Sequence, residues 1–109
     1  MLATFFLRRG GVSVSFVQTI AYTTSKPDDM RALGDEFNRE NPTSPGLVNV
    51  RVFKDRDREN SYLLVAEFES YEQAMENSGR PEVDALSKRM AELADAAPVF
   101  TNYDVIQEM

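Results

Sequence analysis

Two apolar runs separated by a short charged segment limit this chain more than any other feature. Residues 47–54 (LVNVRVFK) and 61–69 (SYLLVAEFE) are rich in β-branched and aromatic residues, and Asp55 to Asn60 (DRDREN) between them is a polar turn. The pattern predicts an antiparallel hairpin over 47–69. A sheet with one wet face alternates apolar and polar residues along its strands. Here Val48, Val50 and Val52 read on one side of the first run, with Leu47 and Phe53 on the other. Leu63 and Val65 read on one side of the second, with Tyr62, Leu64, Ala66 and Phe68 on the other. Neither face is consistently polar. Burying a Val or Leu is worth roughly 1.5–3 kcal/mol over leaving it in water. An uncovered patch of five or so is an aggregation hazard. Helices cover one face of such a sheet. A symmetric second copy is the expected cover of the other, through Leu63 and Val65. The alternative is that the apolar N-terminal segment folds back over it.

The remaining elements follow from periodicity and breakers. Residues 13–22 (SVSFVQTIAY) alternate Val14, Phe16, Gln18, Ile20 and Tyr22 against Ser13, Ser15, Val17, Thr19 and Ala21, the mark of a strand. Pro27 suits a first helical turn, and Asp28 and Asp29 favour its positive end. Met30, Leu33 and Phe37 then recur at helical spacing, which predicts a helix over 28–40. The breaker cluster Asn41-Pro42-Thr43-Ser44-Pro45-Gly46 stops it. Ser70 with Gln73 forms a capping box ahead of a short helix over 71–77. A second segment restarts at Pro81, with Val83, Leu86, Met90 and Leu93 on one face to about residue 95. Pro98 closes it, and 99–107 is a last strand. The order is βαββαβ, a ferredoxin-like α+β arrangement: a four-stranded antiparallel sheet with helices on one face.

Composition removes many functions. The chain of 109 residues is one domain's length, and it has no cysteine, histidine or tryptophan. Disulfides, thiolate metal sites, a Ser-His-Asp triad and the commonest general base near neutrality are therefore excluded. Twelve Lys+Arg against eighteen Asp+Glu give a net charge of −6, which repels phosphate backbones and anionic membranes. Asp55, Asp57 and Glu59 have some calcium-loop flavour. An EF-hand needs glycine at its sixth position and glutamate at its twelfth, and here those are Asn60 and Ala66. Met1 to Leu7 is apolar, but Arg8-Arg9 follow it instead of preceding it, and it is too short to span a bilayer. Residues 1–12 are therefore expected to be a flexible extension ahead of a domain over 13–109, in a cytoplasmic protein.

The run SYLLVAEFESYEQAMENSGRPEVDALSKRM, residues 61–90, resembles the dimeric α/β-barrel superfamily, and most of all its antibiotic biosynthesis monooxygenase-like branch. The resemblance rests on Val65-Ala66-Glu67-Phe68, on the Ser70-initiated helix, and on the break Ser78-Gly79-Arg80-Pro81 before a longer helix. It implies two protomers joined sheet to sheet, each with a pocket between its own sheet and helices. It also places Phe68 where the family's oxygenases carry a tryptophan, and Asn77 near the histidine of the haem-degrading members. Without that histidine, haem ligation of their kind is unavailable.

If Phe68 faces the helices, so do Tyr62, Leu64 and Ala66, while Leu63, Val65 and Glu67 face the partner. Tyr22, Tyr62, Leu64, Phe68 and Asn77 are the candidate pocket residues. Tyr62 lies six residues from Phe68, about 20 Å at roughly 3.4 Å per residue. They are expected at opposite ends, with Phe68 and Asn77 at the inner one. Asn49 and Arg51, mid-strand among valines, face either a pocket or solvent. The resemblance implies a cofactor-independent monooxygenase acting on an aromatic or quinone-like small molecule. The alternative is a non-catalytic ligand-binding or stress-related dimer of the same superfamily. No cofactor or metal is expected. Extensive dialysis against a chelator should leave the melting temperature unchanged. A clear drop would show that a carboxylate metal site holds the fold together.

Overall fold

The computed structural model describes residues 7–8 and 12–109 of the chain. Strands β1 (Leu7–Arg8) and β2 (Val12–Ser13) pair antiparallel. The flexible extension expected over residues 1–12 otherwise falls outside the described residues. The strand expected from residue 13 begins its main ladder only at Phe16, as β3 (Phe16–Thr23). It is followed by α1 (Pro27–Glu40), β4 (Leu47–Lys54), β5 (Ser61–Phe68), α2 (Tyr71–Ser78), α3 (Pro81–Leu93) and β6 (Val99–Asp104). The last strand thus stops at Asp104 instead of Gln107, and the second helix is divided at Gly79-Arg80. Strands β4, β5, β3 and β6 lie side by side in that order, all antiparallel. This is the ferredoxin-like architecture, in its βαββααβ form.

Register decides which side chains meet the helices. Phe16 stands opposite Phe68, Gln18 opposite Ala66, Ile20 opposite Leu64 and Tyr22 opposite Tyr62. Residues opposite one another share a face, and Phe16, Tyr22, Ala66 and Phe68 are buried. That face is therefore the helix side. The side of β3 that sequence alone left open is settled.

One strand departs from simple parity. A bulge between Leu47 and Asn49 sets Leu47 opposite Phe68, Val50 opposite Ala66 and Val52 opposite Leu64. Leu47 therefore joins Val50 and Val52 on the helix side instead of facing away from them. A bulge adds one residue to one strand and so shifts its alternation. Asn49 and Arg51 pair with Glu67 and Val65 on the opposite, open face, where Asn49 Nδ2 donates to Glu67 Oε1 at 3.4 Å.

The core falls into two clusters that meet at Leu64. Phe16, Ala66, Phe68 and Ala74 form one, beneath α2. Tyr22, Met30, Leu33 and Met90 form the other, beneath α1 and α3. Thr24, wholly buried, ties the end of β3 to the end of α3: its Oγ1 donates to Leu93 O at 2.7 Å and accepts from Lys26 N at 3.0 Å. Ser70 caps α2, its Oγ accepting from Gln73 N at 3.1 Å. The reciprocal half of the expected capping box is missing. Gln73 Oε1 is buried without a hydrogen-bond partner, and its side chain packs against Gly46 instead. Gly46 adopts φ +78°, and a Cβ there would collide with Gln73. Both facts require glycine.

Phe68 is 1% exposed, so Phe68→Ala should lower unfolding stability by about 3–5 kcal/mol in urea titration. Ser70→Ala should cost about 1 kcal/mol through the lost cap. A loss below about 1 kcal/mol for Phe68→Ala would mean that the ring is not packed as core.

Candidate functional site

The helices do not close over the whole sheet. Val50 and Val52 of β4 and Phe100 of β6 all lie on the helix side by register, yet they are 44%, 54% and 52% exposed. An open cleft of about 1110 Å³ accounts for this. Its floor is the sheet, through Ile20, Leu64, Val50 and Val52; its roof is α1 and α3, through Met30, Leu33, Leu86 and Met90. Small-molecule sites have this character: apolar walls and a few polar groups.

The roof carries a glycine that packing does not require. Gly34 lines the cleft from the middle of α1, and a Cβ there would meet nothing within 4 Å. A mid-helix glycine costs about 1 kcal/mol relative to alanine. Its effect is to widen the cleft against the α1 backbone.

Tyr22 and Tyr62 stand at one end. Their rings stack with centroids 5.5 Å apart and planes 15° from parallel. Neither hydroxyl has a hydrogen-bond partner among the described residues, and both residues border the cleft. Burial raises the Tyr22 phenol above its ordinary value near 10, and Tyr62 beside it adds to the shift. Tyr22 thus stays protonated, a hydrogen-bond donor, throughout the neutral range.

Phe68 and Asn77 border the other end, so all five residues proposed from the sequence touch one continuous space. The Phe68 ring is core at the margin of that space, not a free surface in it. Leu63 and Val65 lie on the opposite face of the sheet, where Leu63 is 37% exposed.

Sequence reasoning missed a polar group at the Asn77 end. Arg80 Nη1 donates to Asn77 Oδ1 at 3.0 Å and to Ser44 Oγ at 3.1 Å, and its Nη2 to Asn41 Oδ1 at 3.4 Å. It also missed Gln18 and Asn102, joined at 3.0 Å on the helix side between β3 and β6. Asn41 and Ser44 read as helix-stopping residues, and nothing local links them to a side chain more than 30 positions away. No cluster of three acidic, histidine or cysteine side chains able to hold a metal exists among the described residues. Asp55, in the calcium-like stretch, instead accepts from Asp57 N, Arg58 N and Arg58 Nε, and these bonds lower its carboxyl pKa. Nor is any helix of the described residues long and apolar enough to cross a membrane.

No protein-family profile matches the sequence, and no curated protein matches it. Solved structures do. The cofactor-independent oxygenase SnoaB from Streptomyces nogalater superposes with a TM-score of 0.74 at 14% identity, over 89% of this chain and 98% of that one. Rv0793 from Mycobacterium tuberculosis gives 0.68 at 22% identity, over 86% and 98%. A Deinococcus radiodurans protein, classed by inference as an antibiotic biosynthesis monooxygenase, gives 0.72 at 12% identity, over 86% and 95%. The chain therefore has the antibiotic biosynthesis monooxygenase fold that the 61–90 segment implied.

Two measurements follow. The fold holds the Tyr22 proton more tightly than the unfolded chain does, so stability is undiminished below about pH 10 and falls as pH rises through the raised pKa. Spectrophotometric titration of the wild type against Tyr22→Phe should isolate a phenol ionising above its ordinary value. Gly34→Ala should raise stability by about 0.5–1 kcal/mol, because helix propensity improves and nothing is displaced. A destabilised Gly34→Ala would show that α1 packs more closely there.

Proposed function

We propose that the cleft binds an aromatic or quinone-like small molecule and promotes its reaction with molecular oxygen without a cofactor. The observation that carries this reading is the set of half-exposed apolar side chains facing the helices, Val50, Val52 and Phe100, around a space bordered by Tyr22 and Tyr62, whose hydroxyls have no hydrogen-bond partner among the described residues. A flat aromatic ligand would cover the valines and place an oxygen against a phenol. The likeness to SnoaB, which is a cofactor-independent oxygenase, supports the reaction class.

The chemistry asks little of the chain. An electron-rich substrate with a methylene conjugated through its rings to a carbonyl loses a proton, the resulting anion adds oxygen, and the proton returns to the peroxide. The peroxide then loses water and leaves a carbonyl where the methylene stood. One oxygen atom enters the product and the other leaves as water. The protein orients the substrate, limits water, and stabilises the developing oxyanion with a neutral donor. Tyr22, kept protonated by burial, is the group we assign to that bond, with Tyr62 stacked on it.

The second reading, a non-catalytic ligand-binding dimer, is favoured by Phe68. It occupies the position where the resemblance implies a tryptophan, and it is packed as core. Dithranol, a hydroxylated anthrone, separates the two readings. An oxygenase converts it in air to the anthraquinone danthron and water faster than buffer does, and Tyr22→Phe slows that conversion roughly ten-fold or more. A binder takes up danthron with no rate enhancement.

We assign the open face of the sheet to a second copy of the chain. Leu63, Phe53, Val99 and Tyr103 are 37–60% exposed there, and a self-complementary partner covers such a patch. The protein should sediment as a dimer at micromolar concentration. Leu63→Glu should dissociate it, since the new carboxylate would stand between Phe53 and Ala21, with no cation opposite it on either neighbouring strand. A monodisperse wild-type monomer overturns the assignment.

A further inference from the structure

We infer that Arg80 is a positioning residue for the inner end of the cleft: it turns the Asn77 amide and the Ser44 hydroxyl so that both present donors to a carbonyl or phenolate oxygen of the ligand, an inference that rests on the aromatic-ligand reading above.

Arg80 occupies the turn between α2 and α3, with its side chain 23% exposed. A guanidinium carries donors only. The Asn77 atom that faces it at 3.0 Å is therefore the oxygen, and the amide cannot flip without setting donor against donor. The Asn77 Nδ2 is left pointing away from the guanidinium, with no partner among the described residues. Ser44 accepts from the same Nη1 at 3.1 Å, which leaves its own proton free to donate. Asn77 and Ser44 both line the cleft.

Asn41 is the contrast. Its Oδ1 accepts from Arg80 Nη2, and its Nδ2 donates to Phe37 O at 3.1 Å, so that amide is used at both ends and serves as a strut. The guanidinium thus sits behind two oriented donors, braced against the end of α1. Glu82, 3.6 Å from Nη2 and 46% exposed, offsets part of its charge from the solvent side. What remains favours an acceptor oxygen, anionic or strongly polarised, over a donor. The stacked tyrosines lie about 20 Å away by strand length, so danthron, three fused rings long, bonds at this end or at Tyr22 but not at both at once.

Danthron titration of the wild type, Asn77→Ala, Arg80→Met and the double variant tests this, with thermal melting to confirm that each is folded. Each single change should weaken danthron binding roughly five-fold. The double variant should bind no worse than Arg80→Met, because without the guanidinium the Asn77 amide is already misdirected and its removal takes nothing more. Multiplying losses, or Arg80→Met binding like the wild type, overturns the inference. If Arg80→Met does not fold, Arg80→Lys replaces it with the same expectation, since a single ammonium nitrogen cannot occupy both the Nη1 position that holds Asn77 and Ser44 and the Nη2 position that holds Asn41. The Asn77 side-chain amide resonances give a readout independent of ligand: they should move in the Arg80 variant, and unchanged resonances overturn the positioning role. Failure of the wild type to bind danthron overturns the aromatic-ligand reading itself, and the amide resonances still decide whether Arg80 orients Asn77.

Discussion

The pairing of β3 with β5 is the constraint on which everything else in this protein depends. Eight consecutive residue pairs, from Phe16 and Phe68 to Thr23 and Ser61, place every second side chain of the two central strands under the helices. A slip of one residue would turn one strand over against the other, so that Phe16 and Phe68, or Tyr22 and Tyr62, no longer shared a face. The rings at the two ends of the ladder, Phe16 with Phe68 and Tyr22 with the half-buried Tyr62, each anchor one of the two core clusters. The cleft lies over the stretch between those anchors and extends beneath the helices to the edge strand β4. Its position is thus a property of the register before it is a property of any one lining residue.

Much of this was legible in the residues. The alternation of 61–68 assigned Tyr62, Leu64, Ala66 and Phe68 to the helix side because β5, a central strand, runs without a break. The same parity failed for β4. Its bulge lies between Leu47 and Asn49, where no glycine marks the extra position and the alternation of Val48, Val50 and Val52 runs on unbroken. Parity placed Val50 and Val52 on one face and Phe53 on the other, without saying which of the two the helices cover. Phe53 and Leu63 lie on the open face, and Val50 and Val52 border the cleft. Composition cannot make that division, since a valine facing a cavity and a valine facing a partner are the same letter.

Arg80 shows the limit from the other direction. Its partners Asn41 and Ser44 come from the segment that stops α1, and only the folded chain brings that segment to the turn between α2 and α3. A reading that works along the chain finds caps and breakers there. Gly34 was visible in the sequence as a small residue beside helical apolar positions. Its meaning required seeing that the space above it is empty. In each case the missing information was distance between elements, and pattern within one element does not contain it.

The open side of the cleft has a consequence for how the protein behaves when nothing occupies it. Strand β4 is an edge: β5 takes one side of its backbone, and the other side meets no strand among the described residues. Val50 and Val52 flank that free edge and are about half exposed. An unpaired edge beside exposed β-branched residues is a template for strand addition, and here Arg51 and Lys54 are the charges set against it. A ligand lying across the valines would remove the apolar half of that template. Occupancy of the cleft and resistance to aggregation would then be coupled, and a preparation stripped of its ligand would be the one that loses material on concentration.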